Sequence, residues 1–387
     1  MKSPHFPRGR AMALLGLAAL ALSGCAGGPF SDTTGDFQVD PVYLDRSQIG
    51  SVDEFVPMSR LCGTDTVRVA LADGVGDNAF RKTARAEFED EARQCPNIEL
   101  LPYADGQGNP QKAIGDIKAL VAQGVDALVV FPDAGPALIP TLREAFEAGV
   151  SVVPYTASPG GEAGVDYTAF VGHNTVNDGR AWARWTCETL GPGGGNAVFL
   201  GGTPGNAQSL TEIAGIEAEL AENPGCAAVT LLNDPGAPID TGWNPAQTQK
   251  VVAGLITKYP KIDAVITDSG DASLGGIRAF LQAGRPLPIW TANDVNGFAC
   301  AFQDNHPKQP GFQVVTVSSR TWMVRLALRK AVADAQGIDD PEPNIVDIPI
   351  VENSVDPKAQ PRCDRGLPSS AVLSSELSTD TLSRIYR

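Results

Sequence analysis

The sequence is short of positive charge and of histidine. Its 387 residues hold 30 Lys and Arg against 45 Asp and Glu, a formal net charge of −15. So acidic a chain does not suit a phosphate backbone, which excludes nucleic acid as a natural partner. Of three histidines, only His173 and His306 lie beyond the N-terminal segment. There is no Gly-x-Ser-x-Gly elbow, no His-Glu-x-x-His and no Gly-Lys-[Ser/Thr] phosphate loop. The Gly-rich stretches Gly191-Pro-Gly-Gly-Gly195 and Gly201-Gly-Thr-Pro-Gly205 read as loops on either side of one strand. No Cys-x-x-Cys pair exists, which argues against a zinc knuckle or a redox motif. The expectation is a protein that is not an enzyme and needs no metal or cofactor. Long apolar runs are missing too, apart from residues 11–22, which are too few to span a bilayer.

That short run follows Lys2, Arg8 and Arg10, the layout of an export signal over residues 1–24. Its end, Leu22-Ser23-Gly24-Cys25, resembles a bacterial lipobox, in which cleavage precedes a cysteine that then carries lipid. Removing residues 1–24 deletes three positive charges, so the exported chain sits at −15 − 3 = −18. Residues 25–60, polar and broken by Gly and Pro, read as a tether from membrane to domain. Six cysteines remain, Cys62, Cys95, Cys187, Cys226, Cys300 and Cys363. An even number in an exported chain suggests disulfides. The pairing expected is Cys62–Cys95, Cys187–Cys226 and Cys300–Cys363, the first tying a strand start to the end of the helix returning beside it.

From Thr66 the chain settles into a rhythm. Strand-like runs at 67–72, 98–103, 127–131, 150–155 and 168–171 alternate with helical patterns at 80–94, 110–123 and 136–148. Gly124 and Gly149 stand just past helix ends, where a left-handed cap is wanted. The rhythm then restarts, with strands at 196–200, 227–232, 264–267, 289–292 and 313–317. Helical patterns lie at 176–190, 207–222, 245–259, 272–283 and 320–336. A last strand-like run covers 345–351, and 352–387 reads as a surface tail or partial disorder. Such alternation, at this length, means an α/β chain of two doubly wound parallel-sheet lobes. Ligands of such sheets bind beyond the carboxyl ends of the strands, here in a cleft between lobes.

The turn after the first strand reads Asp73-Gly-Val-Gly-Asp-Asn-Ala-Phe80. Its Gly74-x-Gly76-x-x-Ala79 matches the dinucleotide fingerprint in spelling and context, and Asp105 stands where a ribose-binding acid is sought. Asp73 and Asp77 would repel a pyrophosphate on the helix N-terminus. The glycines are better read as the flexible backbone of a strand-to-helix turn.

Several turns together are similar to the type I periplasmic-binding-protein family, closest to its ribose-binding-like branch, over roughly Thr66 to Gln336. They are Ala127-Leu-Val-Val-Phe-Pro-Asp133, Gly172-His-Asn-Thr-Val-Asn-Asp-Gly179 and, most specifically, Lys258-Tyr-Pro-Lys-Ile-Asp-Ala-Val-Ile-Thr-Asp-Ser-Gly-Asp271. The resemblance implies a hinged clamp that captures a small polar solute, a sugar or polyol, and presents it to an ABC transporter permease. It implies lobes at 61–172 plus 319–340 and at 173–318 plus 341–351, joined by a multi-strand hinge, with the chain acting as a monomer. It places Asp73, Asp77 and Phe80 at the first turn, Phe131 and Asp133 at the third, and Tyr155 and Thr156 at the fourth. His173 and Asn174 fall at one crossing, Trp243 at the lip of the second lobe, Ser269 and Asp271 at the fifth turn. Asn293 and Asp294 fall at the sixth turn, Ser319 and Arg320 at the second crossing.

The family's Asp-Arg pair at the fourth turn is replaced by Thr156-Ala157, and Gln208-Ser209-Leu210 supplies no second arginine. The cleft is therefore expected to be carboxylate-rich, suiting neutral polyols or an amine-bearing solute over anions. A DNA-binding regulator of the same fold would need a helix-turn-helix where the signal and tether stand. A sensory protein feeding a membrane receptor would share every feature read so far, and loss of uptake on deletion separates it from an importer.

Overall fold

The computed structural model describes residues 49–76 and 78–386. Cys25 and Asp77 thus lie outside the described residues. Numbered along the chain, β1 (Ile49–Gly50) precedes the first βα set. That set is β2 (Val67–Asp73), α1 (Ala79–Ala92), β3 (Ile98–Leu100), β4 (Ala104–Asp105), α2 (Pro110–Ala122), β5 (Ala127–Phe131), α3 (Ile139–Glu147) and β6 (Ser151–Pro154). A crossing strand β7 (Gly172–His173) leads into the second set. It runs α4 (Thr175–Leu190), β8 (Gly195–Gly201), α5 (Ala207–Glu222), β9 (Val229–Leu231), β10 (Ile239–Asp240) and α6 (Pro245–Lys258). It continues with β11 (Ala264–Thr267), α7 (Gly270–Gln282), β12 (Ile289–Asn293), α8 (Asn296–Asn305) and β13 (Val314–Val317). The chain ends with α9 (Met323–Ala335), β14 (Ile345–Val346), β15 (Ile350–Asn353) and α10 (Thr379–Ile385).

Two sheets result. The first has the order β3-β2-β5-β6 with β4 beside β2, every pair parallel. The second has the order β10-β8-β11-β12-β13-β15, parallel except that β15 runs antiparallel to β13. Both are buried on two faces, which is why their strands read as continuous apolar runs rather than as alternation. Val69, Leu71, Val129 and Val153 of the first sheet join one core with α1 and α9, while Ala70, Leu128, Val130 and Val152 join another with α2 and α3. In the second sheet Phe199, Ile266 and Val315 share a core with α4 and α5, and Val198, Val265 and Trp290 share one with α6, α7 and α8. Each such buried Val, Leu or Ile contributes about 1.5–3 kcal/mol. Helices α4 and α5 touch nearly backbone to backbone, because a side chain at Gly179 or Gly215 would strike the facing carbonyl of Glu212 or Val176.

The chain crosses between the sheets three times, after β6, after β13 and again between β14 and β15. Helix α9 follows the second-sheet strand β13 yet packs on α1, β5 and β6 of the first. A small third sheet, β1-β14-β7, gathers two of the crossings. This changes the tether expectation. Residues 49–60 are folded onto the crossings: β1 pairs with β14, Phe55 sets its ring edge-on to Trp322 at 5.7 Å, and the Val56 N–H donates to Glu342 Oε1 at 2.7 Å.

Two further expectations change. The run at 168–171 forms no strand of its own and touches Tyr155 through a single bridge at Val171. The run at 345–351 splits between two sheets, as β14 and β15. Of the two readings of the tail, residues 352–386 take the surface one and not disorder, as described below. The disulfides are Cys62–Cys95, Cys187–Cys226 and Cys300–Cys363, the pairing the sequence suggested. Among the described residues no helix is long and apolar enough to cross a membrane, and no cluster of His, Cys, Asp or Glu could hold a metal ion.

Candidate functional site

A cavity of about 360 Å³ lies between the carboxyl ends of the two sheets. From the first sheet it is lined by the start of α1 (Asn78 to Arg81), Phe131 at the end of β5 and Thr156. From the second come Gln208, Gly242, Trp243, Asp268, Ser269, Asp271, Asn293 and Val295. Ser319 and Arg320 close it at a crossing, and Ser370 and Val372 of the tail complete the wall.

The first wall is aromatic and cationic. Phe131 packs edge-on against Phe80 at 6.2 Å and Tyr155 at 5.2 Å. The Arg81 guanidinium sits 3.0 Å from the Phe131 ring centroid. Its charge is matched by Asp133 at 2.8 Å and Asp73 at 3.6 Å. Burial pushes the Asp73 carboxyl up to about 6, against the pull of Arg81 and of the Tyr103 hydroxyl that donates to it at 2.7 Å.

The second wall is built on Asp268. Its Oδ1 accepts from the Trp243 indole at 2.8 Å and its Oδ2 from the Gln208 amide at 2.7 Å. Gln208 also donates to Glu212 Oε1 at 3.0 Å. Burial raises both acids, Glu212 well above the ordinary range. Arg320 Nη2 stands 3.8 Å from Asp268, while the buried Nε and Nη1 have no hydrogen-bond partner. Asn293 Oδ1 accepts from the Gly270 N–H at 2.6 Å, and Ser269 caps α7 by accepting from Ala272 at 3.2 Å. Burial raises the Asp271 carboxyl, with the Ser370 hydroxyl bond opposing it.

Nine residues expected in the site line the cavity: Phe80, Phe131, Thr156, Trp243, Ser269, Asp271, Asn293, Ser319 and Arg320. Six others are not in its lining. Asp73 and Asp133 are taken up by Arg81, and Asp133 Oδ2 also accepts from the N–H groups of Gly74 and Val75. Tyr155 is fully buried behind Phe131. His173 is fully buried and bonded through Nδ1 to Asp178 at 2.7 Å; burial, then the nearby Arg320, lowers its pKa. Asn174 caps α4 and reaches Asp347 at 3.2 Å. Asp294 accepts from Ser319 N–H at 2.7 Å and from Ser374 N–H at 2.8 Å.

Among the described residues the lining holds Arg81 and Arg320 beside Asp268 and Asp271, so the acids there are accompanied by two arginines. Arg320 stands at the crossing where the resemblance put it, while Arg81 was not among the residues expected in the site. The dinucleotide spelling also finds its explanation. The Gly74 and Val75 N–H groups bind Asp133 and the Gly76 N–H binds Asp105 at 2.9 Å, so the turn already holds two carboxylates where a phosphate would sit.

Residues 69–337 match the model of the periplasmic binding protein domain. A putative rhizopine-binding protein of Rhizobium meliloti is 26% identical over 60% of this chain and 72% of its own length. A xylitol-binding protein of Mycolicibacterium smegmatis is 26% identical over 70% of this chain and 72% of its own. The ribose import binding protein of Bacillus subtilis is 25% identical over 57% and 68%. These relatives are binding proteins, not enzymes, in keeping with the absence of a catalytic motif. Among solved structures, the myo-inositol binding protein of Caulobacter superposes with a TM-score of 0.61 at 23% identity, covering 74% of this chain and 93% of that one. An ABC transporter solute binding protein of Thermobispora bispora superposes with a TM-score of 0.58 at 26% identity, covering 74% and 85%. Fold, strand-end cavity and sequence agree, and the chain belongs to the periplasmic binding protein family.

Proposed function

We propose that this chain is an extracytoplasmic solute-binding lipoprotein of an ABC importer that closes on a small neutral polyhydroxy solute, a sugar or polyol. The observation that carries this reading is the cavity between the sheet ends, whose aromatic rings and hydrogen-bonding groups come from both lobes while its arginines are matched by carboxylates. A neutral solute with many hydroxyls needs donors and acceptors on every side and a ring face to stack on. Arg81 is ion-paired to Asp133 and Asp73, and the unpartnered Nε and Nη1 of Arg320 are donors that a solute hydroxyl can satisfy. The names of the xylitol- and ribose-binding relatives support the same class.

In this reading residues 61–172 with 319–340 and residues 173–318 with 341–351 move as two bodies about the crossings, and Cys25 carries the lipid that holds a monomer at the membrane. The permease is the partner. An amine-bearing solute is the second reading, favoured by the half-buried Asp271 carboxyl in the lining.

The test is thermal unfolding of the exported chain with xylitol, D-ribose, myo-inositol, polyamines and sugar phosphates. A solute at a hundredfold excess over its Kd stabilises the folded state by about 2.7 kcal/mol. A shift with neutral polyols supports the reading. Shifts with polyamines alone move the solute to the amine class, and shifts with sugar phosphates alone overturn the charge argument.

A further inference from the structure

The family match ends at residue 337, yet part of the cavity wall comes from beyond it. After β15 the chain is fastened to the second lobe. Cys363 is bonded to Cys300 of α8. Asn296, at the start of α8, donates to the carbonyls of Asp364, Leu367 and Pro368 at 2.8, 3.1 and 3.1 Å, and its Oδ1 accepts from the Asp364 N–H at 2.8 Å. The Asn296 and Gly297 N–H groups donate to Ala371 and Ser369. Val372 is buried in the same core as α7 and α8.

Ser374 still binds the second lobe, through Asp294. Two residues later the chain is on the first lobe, where the Glu376 N–H donates to Glu87 Oε1 of α1 at 3.0 Å. Helix α10 then packs on α1, with Leu377 and Leu382 gathered around Ala86. The return contact is made by Tyr386. Its hydroxyl lies 2.6 Å from Thr83 Oγ1 of α1 and donates to the Ser370 carbonyl at 3.0 Å. Ser370 is itself a lining residue. The tail therefore forms a further bridge between the lobes beside the cavity, in addition to the three crossings.

We propose that residues 363–386 are a working part of the solute site: Ser370 and Val372 form a wall that limits solute size, and Tyr386 clasps that wall to the first lobe and slows release. The proposal rests on the cavity being the solute site. Its physical basis is that a segment with this many directed hydrogen bonds is held in one place, so its lining side chains present a fixed surface.

Hydrogen exchange on the full exported chain tests the clasp without any solute. Tyr386→Phe keeps the ring and removes the hydroxyl. Loss of its bond to the Ser370 carbonyl, at typical net strength, predicts exchange of amides 369–375 faster by about fivefold. Unchanged exchange there overturns the clasp. The wall is tested with a size series of glycerol, xylitol and myo-inositol. Ser370→Leu, which fills the lining, is expected to weaken myo-inositol binding about tenfold more than glycerol binding. With Tyr386→Phe, xylitol is expected to dissociate about fivefold faster. Unchanged size preference in Ser370→Leu overturns the wall. Absence of binding to the whole series by the wild-type chain removes the neutral-polyol reading and the wall with it, while the exchange comparison still decides the clasp.

Discussion

At the scale of single residues, the site is made of groups that break ordinary backbone rules. The non-glycine residues with positive φ among those described are Gln107, Thr156, Trp243 and Arg320, and the last three line the cavity. A branched or bulky residue at φ of 64°, 52° or 62° is held there by its surroundings, and such positions concentrate at functional sites. Trp243 shows how: its ring lies against Gly202, where any side chain would collide, and its indole is tied to Asp268. Trp243→Ala is expected to weaken solute binding by about 1–3 kcal/mol, read by titration calorimetry, and unchanged affinity would remove the ring from the site. Glu87 gives a pH prediction. Burial pushes its carboxyl from 4.5 up to about 8, with Arg325 opposing. The native state keeps a proton that the unfolded chain sheds, so stability falls as pH rises through this window and levels off above it. Glu87→Gln should flatten the pH 6–8 part of the urea-stability profile, by as much as roughly 2–3 kcal/mol over those two units. An identical slope in the variant would refute the assignment. Residue identity at strand ends was legible in the sequence; direction was not. Asp73, Asp133 and Asp294 stand at the right turns but satisfy Arg81 and buried N–H groups, and no spacing rule tells a carboxylate facing solute from one facing its neighbour.

At the scale of elements, most of the fold could be read directly. The runs at 127–131, 207–222 and 264–267 coincide with β5, α5 and β11, because buried parallel strands and amphipathic helices leave strong periodic signals. Gly124 and Gly149 do adopt φ of 77° and 88° after α2 and α3. Helix α8 went unread. It starts Asn-Gly-Phe-Ala-Cys, has no side-chain cap of its own, and is capped from outside by the tail. Its formation depends on contacts more than 60 residues away, which local pattern cannot carry. Asn296→Ala would leave the Asp364 N–H and three carbonyls without that partner. A loss of about 2–4 kcal/mol in urea unfolding is expected, and a loss below 0.5 kcal/mol would mean water replaces the amide.

At the scale of the whole molecule, two lobes and a cleft follow from the repeated strand–helix rhythm. The folded stretch 49–60 and the tail did not follow, since neither has periodicity and both are placed by side-chain bonds to distant residues. The anchoring reading is tested on intact cells: Cys25→Ser should move the protein from the membrane fraction to the soluble fraction, and retention in the membrane would refute the lipid anchor. The cross-links add one more property. Cys62–Cys95 ties the start of β2 to the end of α1, Cys187–Cys226 lies within the second βα set, and Cys300–Cys363 ties α8 to the tail segment lying on it. None joins one lobe to the other. Oxidation therefore hardens each half against unfolding while leaving the gap between them spanned by no covalent cross-link, so a mild reductant should lower melting temperature without separating the lobes.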